Sequence, residues 1–137
     1  MMQVDGGCLC GRLRYRIEGE PLFQYNCHCR DCQRMSGGAY LPLIALPAAA
    51  VSHRGELRWF ERRAESGRVA REAFCPHCGS RLFGDGDGVQ GLLLVAAGTL
   101  DEPTLFEPQA DIYTRAAPYW DMMDPVIEKW PANPPDP

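Results

Sequence analysis

The segment Cys75-Pro76-His77-Cys78-Gly79 sets two thiols three positions apart, a spacing that lets the chain curl until both sulfurs face one point. Pro76 stiffens the curl, and Gly79 accepts the backbone conformation that follows it. Two further cysteine groups lie upstream: Cys8-Leu9-Cys10-Gly11 and Cys27-His28-Cys29-Arg30-Asp31-Cys32. Cysteines two apart on an extended chain point the same way, because strand side chains alternate, so Cys8 and Cys10 also offer convergent thiolates. Two such pairs complete a closed, four-sulfur structural zinc site. The middle group has three cysteines, and three protein ligands leave a fourth position open for water or substrate, as in catalytic zinc sites. Spacing does not choose between partitions. Cys29 and Cys32 could instead join Cys75 and Cys78 as a zinc ribbon, leaving Cys8, Cys10 and Cys27 outside it. A redox Cys-x-x-Cys site is the weaker reading, since such sites occupy a βαβ setting that this chain lacks.

Composition favours metal over disulfides. Seven cysteines among 137 residues cannot all pair within the chain. The opening Met1-Met2-Gln3-Val4-Asp5 has neither a basic region nor an apolar run, so the protein is expected in the cytoplasm, where stable disulfides are rare. No segment approaches the roughly 20 apolar residues of a membrane span, and the best candidate, 41–51, is broken by Pro42 and Pro47. A net charge of −4 argues against a duplex-binding face. The local arginine groups, Arg12, Arg14 and Arg16 and then Arg58, Arg62 and Arg63, read as solvated strand faces, compatible at most with a local anion site for a small acidic ligand. Neither nucleic acid nor membrane is expected as a partner.

Short strands separated by turn residues fill the chain. Residues 13–17 alternate apolar and charged, the mark of a strand with one wet face. Residues 39–46 form an apolar run suited to a buried strand with an irregular point at Pro42. Residues 56–60 and 68–74 are expected to pair through the loop at Ser66-Gly67. Residues 81–83 lead into the tight reversal Asp85-Gly86-Asp87-Gly88, followed by strands at 91–97 and 110–114. Only 31–36, capped by Gly37, reads as helix. The expectation is one mainly antiparallel β domain over 1–130 with metal-bearing loops, and a proline-rich tail over 131–137.

Three blocks carry a resemblance. Gly6-Gly7-Cys8-x-Cys10-Gly11 with Leu13-Arg14-Tyr15, then Cys27-His28-Cys29-x-x-Cys32-Gln33-x-x-Ser36-Gly37, then Phe74-Cys75-x-x-Cys78-Gly79-Ser80-x-Leu82 appear in that order. Together they resemble the glutathione-dependent formaldehyde-activating enzyme family, which also includes proteins similar to centromere protein V, over roughly residues 6–120. The resemblance implies a mainly β fold, the β-tent of the Mss4-like type, built of antiparallel sheets with zinc-binding loops. It implies two zinc ions per chain: a structural one on Cys8, Cys10, Cys75 and Cys78, and a catalytic one on Cys27, Cys29 and Cys32. The activity implied is that of an S-(hydroxymethyl)glutathione synthase, a zinc-dependent carbon–sulfur lyase whose partners are a small thiol such as glutathione and an aldehyde, formaldehyde. The alternative is a non-enzymatic, zinc-stabilised binding module of the Mss4-like kind, for which an open metal position has no use.

The chemistry is physically sensible. A free thiol has a pKa of about 8.5, so zinc at an open position would raise the thiolate fraction or polarise an aldehyde oxygen. Arg30 and Arg34 flank the three cysteines in sequence, where they could offset thiolate charge or meet a substrate carboxylate. The histidines are expected to be bystanders. His28 and His77 should point away from the ions, although His28 lies nearest the open site and could move protons, and His53 reads as a surface residue. One departure is plain: members of the family commonly carry a histidine before the isoleucine of the last strand, and this chain has Asp111 before Ile112, which supplies no imidazole donor.

Overall fold

A computed structural model describes residues 1–133. The strand predicted from alternation is β2 (Arg14–Gly19): Arg14, Arg16 and Glu18 face outward, while Tyr15 and Ile17 are buried. It pairs antiparallel with β1 (Met2–Gly7) and with β5 (Val51–Arg54), forming a three-stranded sheet in the order β1-β2-β5. The apolar run becomes β4 (Leu41–Pro47), which pairs with β3 (Phe23–Cys27) on one side and β9 (Leu92–Ala96) on the other. Pro42 is accommodated because pairing with β9 starts only at Leu43, so the residue without an N–H sits at the end of that ladder.

The second sheet has eight strands. The expected hairpin is β6 (Arg58–Arg63) with β7 (Val69–Phe74), and β8 (Arg81–Gly86) joins β7 to β9. At the other edge lie β10 (Ala110–Ile112) and β11 (Glu128–Lys129), giving the order β11-β10-β3-β4-β9-β8-β7-β6. β10 runs parallel to both β3 and β11, the exception to an otherwise antiparallel arrangement. It is shorter than the 110–114 expected because Tyr113 takes a left-handed conformation, φ 56°, and turns the chain out of the sheet. Of the expected tail, residues 134–137 lie outside the described residues, while Tyr113 N–H donates to the carbonyl of Ala132 and Arg115 N–H to that of Pro131.

The helix α1 (Arg30–Ser36) starts one residue earlier than expected, with Cys29 as its cap: the Cys29 sulfur accepts from Cys32 N–H at 3.2 Å. Gly37 ends it at φ 75°, a position where a Cβ would be strained. The result is the mainly β architecture expected of a β-tent. Its core has two clusters. One gathers Leu13, Tyr15, Ile17, Ile44, Leu46, Leu82, Phe83 and Val95, with Cys8 and Cys75 at its edge. The other gathers Tyr25, Leu41, Leu43, Ala96 and Ile112, with Cys27 and Cys32 at its edge. Each fully buried aliphatic side chain contributes about 1.5–3 kcal/mol, so the cysteine groups are mounted on rigid, apolar ground. Among the described residues no helix is long and apolar enough to cross a membrane.

Candidate metal centres and the adjoining cavity

The chain brings its cysteines together in two groups. The Sγ atoms of Cys8, Cys10, Cys75 and Cys78 all lie within 4.8 Å of one another, and so do those of Cys27, Cys29 and Cys32. In the first group the convergence of Cys8 and Cys10 comes from a turn rather than from strand alternation. β1 ends at Gly7, and the loop closes with Gly11 N–H donating to the Cys8 carbonyl at 3.2 Å and Leu13 N–H to Cys8 Sγ at 3.3 Å. The opposite pair sits on a knuckle after β7, where Gly79 N–H donates to the Cys75 carbonyl at 2.8 Å and Cys75 N–H to that of Ser80 at 2.9 Å. Ser80 Oγ ties the loops together by accepting from Leu9 N–H at 3.0 Å. It also lies 3.3 Å from Cys78 Sγ, and this contact, with backbone N–H groups, pulls the Cys78 thiol down to about 5. The group thus joins the loop after β1 of the small sheet to the loop after β7 of the large one.

The donor set fits a tetrahedral zinc. Zinc–sulfur bonds of about 2.3 Å imply sulfur–sulfur separations of about 3.75 Å in a regular tetrahedron. Cys8 and Cys10 sulfurs are 3.6 Å apart, and those of Cys10 and Cys75 3.8 Å. His77 is not part of the set: its Nδ1 lies 2.8 Å from Arg12 and its Nε2 faces Glu56.

The second group comes from three adjacent devices: the end of β3 for Cys27, the helix cap for Cys29, and the first turn of α1 for Cys32. Hydrogen bonds from Cys27 and Cys32 hold the Cys29 thiol far below its ordinary value, while the same contacts push Cys27 and Cys32 upward. Three sulfurs this close accept one negative charge readily and resist the second and third, which a divalent cation would stabilise. This too fits a thiolate-bound metal.

The two groups differ in what lies beside them. Cys27, Cys29 and Cys32 line a cavity of about 730 Å³, whose other walls include Met35, Leu41 and Leu43, whereas none of the four cysteines of the first group reaches it. That volume lies in the range of small-molecule sites. The arginines at this cavity are Arg62, Arg68 and Arg81, not Arg30 and Arg34. Arg30 is turned onto Gln33 of its own helix. Arg62, read from sequence as part of a solvated face, is instead partly buried and bridges elements: it donates to Asp31 of α1 at 3.0 Å and to Glu72 of β7 at 3.0 Å. Glu72, itself buried, also takes Arg81 of β8. This Asp31–Arg62–Glu72–Arg81 chain fastens the ligand-bearing helix to the β6–β7–β8 side of the large sheet. No motif announces it, because its members are scattered and become neighbours only across strands.

Asp111 and His28 lie elsewhere. His28 is fully buried, with Nε2 2.9 Å from Asp111 and Nδ1 2.6 Å from Asp121. Asp111 also meets Lys129 Nζ at 2.8 Å and Asn26 at 3.1 Å. Burial alone would raise the Asp111 carboxyl, but Lys129, His28 and Asn26 hold it below the ordinary carboxylate value. Neither His28 nor Asp111 lines the cavity, which β10 and its continuation reach through Ile112 and Tyr113. Asp111 and Asp121 thereby anchor the segment 111–130 onto the loop carrying Cys27 and Cys29. Asp121, the second partner of His28, carries no sequence signal that could have singled it out.

Comparison with known proteins agrees with this architecture. No curated protein matches the chain. A crystal structure of a Rhodobacter sphaeroides protein resembles it with a TM-score of 0.60 and 19% identity, covering 76% of this chain and 96% of that one, a likeness of fold. A family model described as glutathione-dependent formaldehyde-activating enzyme matches residues 3–116, a span that holds both cysteine groups. By that match the chain belongs to the glutathione-dependent formaldehyde-activating enzyme family.

Proposed function

We propose that the protein is a zinc-dependent carbon–sulfur lyase acting on the adduct of a small thiol, such as glutathione, with an aldehyde such as formaldehyde. Cys8, Cys10, Cys75 and Cys78 would hold a structural zinc, and Cys27, Cys29 and Cys32 the catalytic one. The observation that carries this reading is the asymmetry of the two groups: the three-cysteine group opens onto a cavity of about 730 Å³, and the four-cysteine group does not. A purely structural role would require no such opening, which disfavours the binding-module alternative.

In the synthetic direction the thiol sulfur forms a bond to the aldehyde carbon, and the proton leaves sulfur and ends on the former carbonyl oxygen. Cleavage is the reverse. Zinc held at the three cysteines would supply a Lewis acid that keeps the thiol ionised or polarises the aldehyde oxygen. The remaining work falls to the chain. Met35, Leu41 and Leu43 give the cavity an apolar wall that limits competing water, and the Asp31–Arg62–Glu72–Arg81 chain fixes α1, and with it Cys29 and Cys32, against the opposite strands.

Formaldehyde and glutathione condense without a catalyst, so the test is a rate above that background. Protein shown to hold two zinc ions should accelerate condensation in proportion to its concentration. Mild chelation that removes about one equivalent of metal, with circular dichroism unchanged, should return the rate to background. No acceleration with any thiol by two-zinc protein would favour the binding module.

A further inference from the structure

We infer that the half of the cavity beside Cys27 is a hydrocarbon subsite, and hence that the aldehyde it takes is an aliphatic one larger than formaldehyde. This rests on reading the cavity as a thiol–aldehyde site and names the substituent that the aldehyde carbon bears.

The register of the large sheet leads to it. Ile112 of β10 and Leu41 of β4 stand directly beside Cys27 of β3, one on each neighbouring strand. Directly paired residues share a face of the sheet, as do residues two apart on one strand. Leu43 and Ala45 continue that face along β4, and Ala45 is paired with Leu94 of β9. Met35 of α1 packs against the same buried cluster. Ile112, Leu41, Leu43, Leu94 and Met35 all line the cavity, so the sheet gives it an apolar floor that begins at Cys27.

The ionic lining is gathered on the other side. It comes from β6, β7, β8 and the loop between β6 and β7, through Arg62, Arg68, Glu72, Arg81 and Asp85. The change falls between β9 and β8, where Leu94 is paired with Gly84 and Gly84 with Glu72. A Cβ at Gly84 would run into the Arg81 and Glu72 side chains. That glycine is the seam where the ion-pair network meets the apolar floor.

Two reactants of unlike character suit two such halves. Beyond its sulfur, glutathione is a polar, charged tripeptide, compatible with the ionic strands. Formaldehyde brings only hydrogens to the carbon that bonds sulfur, and nothing to lie against the floor. Leu94 and Met35 are only partly buried, so apolar surface remains there for a ligand to cover. An alkyl aldehyde would cover it. The thiol sulfur bonds to the carbonyl carbon, the C=O bond becomes a C–O single bond, and the sulfur's proton ends on oxygen. The alkyl group takes no part in these steps and rests on the floor, each methylene removed from water adding about threefold to affinity.

The experiment is calorimetric titration of the zinc-loaded full chain with S-methyl-, S-ethyl-, S-propyl- and S-butylglutathione. These stable thioethers keep the thiol part fixed and extend an alkyl chain from the position of the aldehyde carbon. Affinity should rise about threefold per methylene, tenfold or more from methyl to butyl, with a heat-capacity change that grows more negative along the series. Leu94→Ser and Met35→Gln, both at partly buried positions, should cut the methyl-to-butyl gain to less than about threefold while keeping two metals per chain. Equal affinity across the series, or affinity falling with chain length, would overturn the hydrocarbon subsite and leave the thiol–aldehyde reading standing, as would a gain undiminished in both variants. Failure of the whole series to bind, in protein holding two metals, would overturn both.

Discussion

Cys75→Ser protein should be recovered insoluble or unfolded, the largest stability loss expected from any single substitution in this chain. Cys75 is 1% exposed, at the point where β7 leaves the core, and its sulfur lies 3.8 Å from that of Cys10. The two pairs of this group are far apart in sequence, and joining them ties the small sheet to the large one. Structural zinc contributes about 10–16 kcal/mol of apparent binding energy, and because no preformed site exists in the unfolded chain, that energy acts as folding energy. Domains of this size have a net stability of only about 5–15 kcal/mol. A serine hydroxyl stays protonated at neutral pH and replaces a thiolate poorly. The check is soluble yield and thermal midpoint alongside metal content. A soluble variant with the parent's midpoint would falsify the structural role.

Cys29→Ala should behave in the opposite way, folding normally and losing catalysis. Cys29 is only partly buried, and its structural task is to cap α1, a contact worth about 0.5–2 kcal/mol. The first cysteine group is elsewhere and keeps its ligands. The variant should therefore bind one zinc instead of two, keep native circular dichroism, and condense glutathione with formaldehyde no faster than buffer. Retention of the parent's rate by a variant carrying one zinc would remove the three-cysteine group from the mechanism.

Much of the fold was legible in the sequence because its signals are local. The alternation through Tyr15 and Ile17, the apolar run of β4 and the Gly37 cap each follow from the residues of one element. β1, β3, β5 and β11 were not; β11, for one, is two residues long and exists only through its pairing with β10. The parallel placement of β10 beside β3 is likewise a tertiary fact with no local mark. The cysteine groups were visible as metal ligands from spacing, but which cysteines belong together came from the family resemblance, because spacing left a zinc ribbon open. The surroundings of the site were the least legible. Arg30 and Arg34 are neighbours of the cysteines in sequence, yet helix geometry turns Arg30 onto Gln33, and the cavity takes its arginines from the far strands. Arg62 in a run of charged residues looks like any solvated arginine until β7 brings Glu72 beside it. Asp111 read from sequence only as a residue without an imidazole donor, and its place as a buried partner of His28 and Lys129 depends on residues far away in the chain.

The three-cysteine group is expected to hold a metal with a coordination position open to the cavity, and the four-cysteine group a closed one. Replacing zinc with cobalt(II) makes each site report its own ligands by visible absorption. In Cys29→Ala, which should keep only the four-cysteine site, cobalt bands should be indifferent to added 3-mercaptopropionate. In the parent protein, the bands absent from that variant should shift on adding the same thiol, as a fourth sulfur enters the coordination shell. Parent protein with two cobalt ions and a spectrum unmoved by saturating thiol would contradict the claim.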